Sequence, residues 1–146
     1  KKKINKLKFK IKSDSPPFSM KKKIVLFLAL GALFMSQKKA DVITKEDGMT
    51  VVNTTTLATD VEGYAGTTPV KIYIKKNKIE RIEALPNTET PKYWVRIKKS
   101  ILDKWNGLSV SDAAKQQVDV VTGATYSSEA VIENVRRGLN YYNKKK

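Results

Sequence analysis

Hydrophobic and polar side chains alternate most regularly between residues 69 and 76. A period of two places successive side chains on opposite faces of a β-strand. The polar residues 76–78 then form a predicted turn, in which Asn77 can adopt a positive φ, and residues 79–85 form the returning strand. We therefore predict an antiparallel hairpin with one face in the core and one in water. Its first strand alternates Val70, Ile72 and Ile74 with Lys71, Tyr73 and Lys75.

Two later stretches repeat hydrophobic residues at intervals of three and four, the period of an amphipathic helix. The first predicted helix spans residues 92–106 and ends at Asn106-Gly107, where glycine suits a helix terminus. The second spans residues 128–142. Their apolar stripes are Trp94, Ile97, Ile101 and Trp105 in the first helix, and Ile132, Val135, Leu139 and Tyr142 in the second.

Shorter segments of the sequence predict short strands and a short helix or loop. Residues 49–52 and 57–61 are rich in Val and Thr and are predicted strands, residues 108–117 a short helix or loop, and residues 118–121 a short buried strand. In chain order these elements predict an α+β domain, in which a small antiparallel sheet with a hairpin packs against two main helices.

The first 40 residues differ in composition from the rest of the chain and hold most of its net charge of +15. Residues 1–19 are rich in lysine without a hydrophobic period, and we expect a basic leader outside the mature protein. Residues 20–40 pass from Met20 and three lysines into an apolar run shorter than the roughly 20 residues of a bilayer span. This is the form of a secretory signal or N-terminal anchor. We expect the folded domain, residues 41–146, to lie outside the cytoplasm.

Cysteine and histidine are both missing from the sequence. Their absence excludes disulfides, self-ligated iron–sulfur clusters, thioether-linked haem and a histidine general base. Redox chemistry would therefore need an organic cofactor or a carboxylate-bound metal. A nucleic-acid partner is not expected, because a signal segment accounts for the N-terminal lysines and no basic–aromatic pattern follows it.

The stretch that carries the most chemistry is residues 119–128, Asp-Val-Val-Thr-Gly-Ala-Thr-Tyr-Ser-Ser. Gly123 permits a tight turn, and Ser127 or Ser128 is predicted to cap the following helix. Glu129 and the later Arg136 and Arg137 would suit the two ends of the helix dipole. Thr125 would then lie just before a helix N-terminus, where free backbone N–H groups favour a phosphate.

The pattern Asp-x-x-Thr-Gly-Ala-Thr-x-Ser resembles the flavinylation motif of the FMN-binding domain. That domain occurs in the G subunit of the Rnf electron-transport complex, in the C subunit of the sodium-pumping quinone reductase and in small secreted proteins. The resemblance implies that Thr125 carries FMN through a phosphoester bond made by a flavin transferase with FAD as donor. It also implies cofactor-binding roles for the rest of the motif: Asp119, Thr122, Gly123, Ala124, Ser127 and Ser128.

A second part of the resemblance lies upstream. The family carries Glu-Thr-Pro-Gly, an apolar residue and Gly along the flavin, and this chain keeps Glu89, Thr90 and Pro91. Lys92 and Trp94 stand where the two glycines would be, so Trp94 or its neighbour Tyr93 is expected to stack on the ring unless Trp94 is a plain core residue. The segment of residues 63–66, Gly-Tyr-Ala-Gly, also has a counterpart in the family.

The resemblance as a whole implies an electron carrier with redox partner proteins at or near the membrane, rather than a stand-alone enzyme. Two alternatives stay open. The chain could bind FMN without a covalent bond, or it could be a secreted non-redox domain that has lost the cofactor, an idea that the missing glycines at 92 and 94 support.

Overall fold

The computed structural model of the protein describes residues 41–146; the predictions for residues 1–19 and 20–40 lie outside this part. The described residues form an antiparallel sheet followed by helices, which confirms the predicted α+β class. The strands are β1 (Ile43–Glu46), β2 (Met49–Asn53), β3 (Val70–Lys75) and β4 (Lys78–Ala84). The helices are α1 (Pro91–Ile101), a 3-10 turn (Leu102–Trp105), α2 (Val110–Ala113) and α3 (Thr125–Lys145).

The sheet has the order β1-β2-β3-β4, so each strand pairs with its neighbour in sequence. The β3–β4 hairpin is confirmed, and its turn residues Lys76 and Asn77 have φ of 48° and 61°. β1 was not predicted. It joins β2 through Asp47 and Gly48, both with positive φ, which is the Asp-Gly signal of a two-residue hairpin.

Two predicted strands are wrong. Residues 57–61 form turns, in which the amides of Leu57 and Ala58 both donate to the carbonyl of Thr54. Residues 118–121 form no strand either. The start of β4 is bonded on its outer edge to residues 107–109 instead.

The two main helices are confirmed with changed ends. α1 begins at Pro91, which suits the first helical turn because proline has no N–H to leave unpaired there. Its predicted C-terminal part tightens into the 3-10 turn before Gly107, whose φ is 81°. α3 begins at Thr125 and ends at Lys145, longer than the predicted 128–142. None of the helices in residues 41–146 is long and apolar enough to cross a membrane.

The core lies between the sheet and the helices, and α3 packs closely on it. A Cβ at Gly138 would lie 2.6 Å from Ile72 Cδ1 and 3.0 Å from Thr54 Cγ2, so a larger residue at this position would force Ile72 to move. Thr54 Oγ1 donates to Asn134 Oδ1 at 2.6 Å and accepts from the Val70 amide at 2.9 Å. The long helix is thereby fixed to the start of β3, and its N-terminal end has a defined position.

The opposite face of the sheet is less exposed than the alternating pattern predicted. Tyr73 was placed on the face in water but is only 4% exposed. The Arg81 guanidinium lies 3.7 Å from the centre of its ring, and its hydroxyl donates to Glu83 at 3.0 Å. A layer of charged side chains therefore covers this tyrosine, and burial with the Glu83 hydrogen bond raises its pKa.

Candidate functional site

A cavity of about 360 Å³ opens at the N-terminal end of α3. Three separate parts of the chain meet there: the loop of residues 63–66, the segment of residues 88–93 at the start of α1, and the turn of residues 123–127. The lining residues are Tyr64, Glu89, Thr90, Tyr93, Gly123, Ala124, Thr125, Tyr126 and Ser127.

The first turn of α3 offers hydrogen-bond donors to this cavity. The first helical amide with a partner is that of Ser128, which donates to the Ala124 carbonyl at 3.0 Å. Within residues 41–146, the amides of Thr125, Tyr126 and Ser127 have no acceptor. They lie at the positive end of the longest helix described, the kind of place where an anion is bound. Gly123, with φ of 79°, allows the chain to turn into the helix here.

The predicted capping of α3 is wrong. The N-cap is Ala124, no side chain caps the helix, and Thr125 is its first residue rather than the residue before it. Ser127 and Ser128 are buried within the first turn. Ser128 Oγ donates to the Ala124 carbonyl at 2.7 Å and accepts from the Val121 amide at 3.1 Å, and so holds the turn before the helix.

The predicted charges at the ends of α3 are also wrong. No acidic residue lies in the first turn, which places Glu129 beyond it. Arg136 and Arg137 lie in the middle of the helix, because it continues to Lys145. Both arginines pair with Glu133, at 2.6 and 2.8 Å, and these ion pairs lower the pKa of that carboxyl.

A buried carboxylate joins the loop to the helix. Glu89 is 7% exposed. Its Oε2 accepts from Ser127 Oγ at 2.5 Å, and its Oε1 accepts from the Ala65 amide at 3.0 Å. The Tyr64 amide donates to Ser127 Oγ at 3.2 Å. A Cβ at Gly63 would overlap the Glu89 carboxylate, so the glycine makes room for this contact.

Three tyrosines stand around the cavity with exposed rings. Tyr64 is 77% exposed, Tyr126 is 70% and Tyr93 is 38%. Exposed aromatic rings beside a cavity can stack on a planar ligand. Trp94 is 9% exposed and belongs to the core cluster, and it does not line the cavity.

The predicted site residues fall into two groups. Six of them line the cavity: Glu89, Thr90, Gly123, Ala124, Thr125 and Ser127. The other five lie outside its lining: Pro91, Trp94, Asp119, Thr122 and Ser128. Asp119 instead lines a second cavity of about 440 Å³, beside Lys104 and Gln117. The binding roles of both groups stay predictions.

Tyr64 and Tyr126 were not among the predicted site residues, although the segment of residues 63–66 has a counterpart in the family. Tyr126 could have been found, since it lies between two motif residues. Tyr64 is brought to the cavity by the hydrogen bonds of its loop to Ser127 and Glu89, and this contact joins residues more than twenty positions apart. A spacing rule along the chain does not contain that information.

These features define a class of protein: a small α+β domain with an aromatic-lined cavity at the start of one long helix, where three helix amides have no partner among residues 41–146. The family model described as FMN-binding domain matches residues 63–140. The chain therefore belongs to the FMN-binding domain family, and its expected cofactor is FMN. No significant match was found among curated proteins or among solved structures.

The cavity suits FMN on physical grounds. Its volume is in the range of cofactor pockets, about 300–1,000 Å³. Free amides at the start of α3 can bond phosphate oxygens, and the tyrosine rings can contact the isoalloxazine. No cluster of metal-ligating side chains occurs within residues 41–146.

Proposed function

We propose that this domain is an electron carrier that holds FMN covalently on Thr125, outside the cytoplasm. The observation that carries the proposal is the position of this threonine. Its side chain is exposed, it lines the cavity, and it is the first residue of α3, beside three amides without a partner in the described residues. A hydroxyl in this place is accessible to a modifying enzyme and adjacent to donors for the phosphate it would carry.

The attachment is a phosphoester transfer with FAD as donor. Thr125 Oγ forms a bond to the phosphorus of the FMN half of FAD, the bond between that phosphorus and the bridging oxygen breaks, and AMP leaves. The threonine loses its hydroxyl proton, so the protein gains the mass of FMN less one water. The described residues of this chain contain no histidine or cysteine to perform the transfer, which supports a separate flavin transferase as partner.

After attachment, the residues of the chain bind and orient. The amides of residues 125–127 hold the phosphate, and the Glu89–Ser127 contact keeps the loop of residues 63–66 against the helix. Tyr64 and Tyr93, which line the cavity, would contact the flavin ring. When bound, FMN supplies electron acceptance and donation, so the domain needs redox partner proteins rather than a substrate site of its own.

The structure weakens the main support for a domain that has lost its cofactor. That support was the pair of large residues in place of glycines. Lys92 is exposed, Trp94 is in the core, and neither lines the cavity. The larger side chains therefore leave the space at the start of α3 free.

An exported sample made beside an active flavin transferase tests the proposal. Thr125→Val removes the hydroxyl and keeps a β-branched side chain of similar shape, whereas Thr125→Ser keeps the hydroxyl. We expect yellow, flavin-fluorescent bands on denaturing gels for wild type and Thr125→Ser, and none for Thr125→Val. Fluorescence that persists in Thr125→Val contradicts the site. Flavin present in native wild type but released by denaturation supports non-covalent binding, and a colourless native protein supports loss of the cofactor.

A further inference from the structure

The outward face of α1 carries a column of cations beside the cavity. Lys92, Arg96 and Lys99 are spaced by four and three residues, so they lie one above another on the side of the helix away from buried Trp94 and Ile97. All three are exposed. We call these three residues the α1 cation column. The same helix contributes Tyr93 to the cavity, and Lys92 is its neighbour in sequence, so the column begins beside the mouth of the cavity.

The N-terminal part of this column is unfavourable for the helix itself. Like charges at these spacings repel one another. Lys92 lies in the first turn, near the positive end of the helix dipole, where a cation is disfavoured. No acidic residue occurs anywhere in α1, and of the column only Lys99 lies in the last turn, where the dipole favours a cation. Helix stability therefore does not explain the cations at residues 92 and 96.

Several other cations of the domain are neutralised, although the exposed lysines of the β3–β4 turn, at residues 75, 76 and 78, have no ion pair among residues 41–146. Lys71 pairs with Glu46, Arg81 with Glu83, and the two arginines of α3 with nearby carboxylates. Among residues 41–146, no carboxylate lies within ion-pair distance of the α1 cation column. Its positive potential is left available to a partner.

We propose that the α1 cation column is the docking surface for an electron-transfer protein with an acidic surface. The inference rests on the proposed electron-carrier function, because it names the partner that approaches the same cavity. Charge complementarity steers such encounters and raises their association rates, and redox complexes are characteristically small and transient. A column at the mouth of the flavin site brings the partner to the place where electrons are exchanged.

The chemistry of α1 favours an acidic protein over an anionic membrane. Helices that lie in a membrane interface expose a stripe of large apolar residues. In α1 the large apolar residues Trp94, Ile97 and Ile101 are buried in the core. The exposed large hydrophobic residues of the helix are Tyr93 and Val95. They are two positions apart and do not share a helix face, so α1 presents charge without an apolar stripe to insert.

A matched set of variants tests the proposal on the flavin-loaded protein. The test variant is Lys92→Gln/Arg96→Gln/Lys99→Gln. The control is Lys75→Gln/Lys76→Gln/Lys78→Gln, which removes the same charge from the exposed turn of the β3–β4 hairpin. Lys146, just past the C-terminal end of α3, donates a hydrogen bond from Nζ to Asn77 Oδ1 in that turn. The 21 residues of α3 therefore separate the control site from the cavity by about 30 Å.

The assay is stopped-flow reduction by a reduced plant-type ferredoxin, a small acidic carrier used as probe. One electron leaves its iron–sulfur cluster and enters FMN. For wild type and control we expect a second-order rate constant that falls as salt is raised. For the test variant we expect about a tenfold lower rate at low ionic strength and a weaker salt dependence. Reoxidation by cytochrome c, a basic carrier, should not slow in the test variant, which separates lost attraction from general damage.

The possible outcomes are distinct. An unchanged rate in the test variant, an equal loss in the control, or a wild-type rate that does not depend on salt each overturns the proposal. The proposal is also overturned if wild type binds vesicles that contain anionic phospholipid, if the test variant loses this binding, and if the rate with ferredoxin is the same in both. Intact mass on the same samples reports covalent FMN independently. If the protein binds FMN without a covalent bond, the proposal of covalent attachment is wrong. The rates of flavin reduction still test whether the α1 cation column is a docking surface.

Discussion

Removing the Ser127 hydroxyl tests the contact with Glu89 that holds the loop of residues 63–66 against α3. In Ser127→Ala, Glu89 loses a hydrogen bond of 2.5 Å and keeps the one from the Ala65 amide. The Tyr64 amide loses its acceptor at 3.2 Å. A hydrogen bond to a carboxylate contributes about 1.5–3 kcal/mol, whereas the longer, partly exposed bond contributes about 0.5 kcal/mol. Glu89 and Ser127 both line the cavity, so water partly replaces the lost donor, and we expect a destabilisation of about 2 kcal/mol, the lower end of the sum of the two bonds.

The assay is equilibrium urea unfolding of the domain without FMN, followed by circular dichroism. Thermal unfolding of the same variant provides a second measurement. For a domain of this size, a loss of about 2 kcal/mol corresponds to a fall of roughly 8 °C in the melting temperature. Ser100→Ala is the matched control, because Ser100 is an exposed serine of α1 and should change stability by less than about 0.5 kcal/mol.

A double-mutant cycle with Glu89→Gln separates the pair from general damage. We expect an interaction energy of about 1 kcal/mol or more between the two substitutions. A Ser127→Ala loss below about 0.5 kcal/mol, or two effects that simply add, would refute the view that this contact holds the loop against the helix.

Two further predictions concern the scaffold. Gly138→Ala should destabilise by about 1–3 kcal/mol, measured by the same urea unfolding, because the new methyl group overlaps Ile72; a neutral effect would mean that α3 shifts freely on the sheet. Ion pairing with arginine lowers the pKa of both Asp60 and Glu133. Stability from these carboxylates is therefore present above their unfolded pKa values and lost as pH falls through their folded ones. The urea midpoint should fall on acidification below about pH 4.5, and less steeply in Arg137→Met; equal slopes would contradict this role.

The parts of the fold that could be predicted are those in which one local pattern decides the structure. The apolar stripes of α1 and α3 each reflect burial of a single face, which the order of residues records directly. The alternation of β3 identified the strand and its core face, but not the burial of Tyr73 on the other face. β1 was missed because it is a four-residue edge strand, although Asp47 and Gly48 carried a turn signal.

The candidate site was predictable only in part, for a physical reason. The motif around Thr125 is continuous in sequence, so it could be recognised there. The predicted start of α3 was three residues too late, because the serines that resemble caps lie inside the first turn and form other hydrogen bonds there. Tyr64 and the Glu89–Ser127 contact depend on tertiary packing, as does the burial of Trp94 in the core.

The central claim is that FMN is joined to the Thr125 side chain. Intact mass spectrometry of the denatured, exported protein, followed by fragmentation of the peptide that contains residues 119–128, tests it most directly. We expect an added mass equal to FMN less one water, located on Thr125. An unmodified mass in protein made beside an active flavin transferase, or an adduct on another residue, would contradict it.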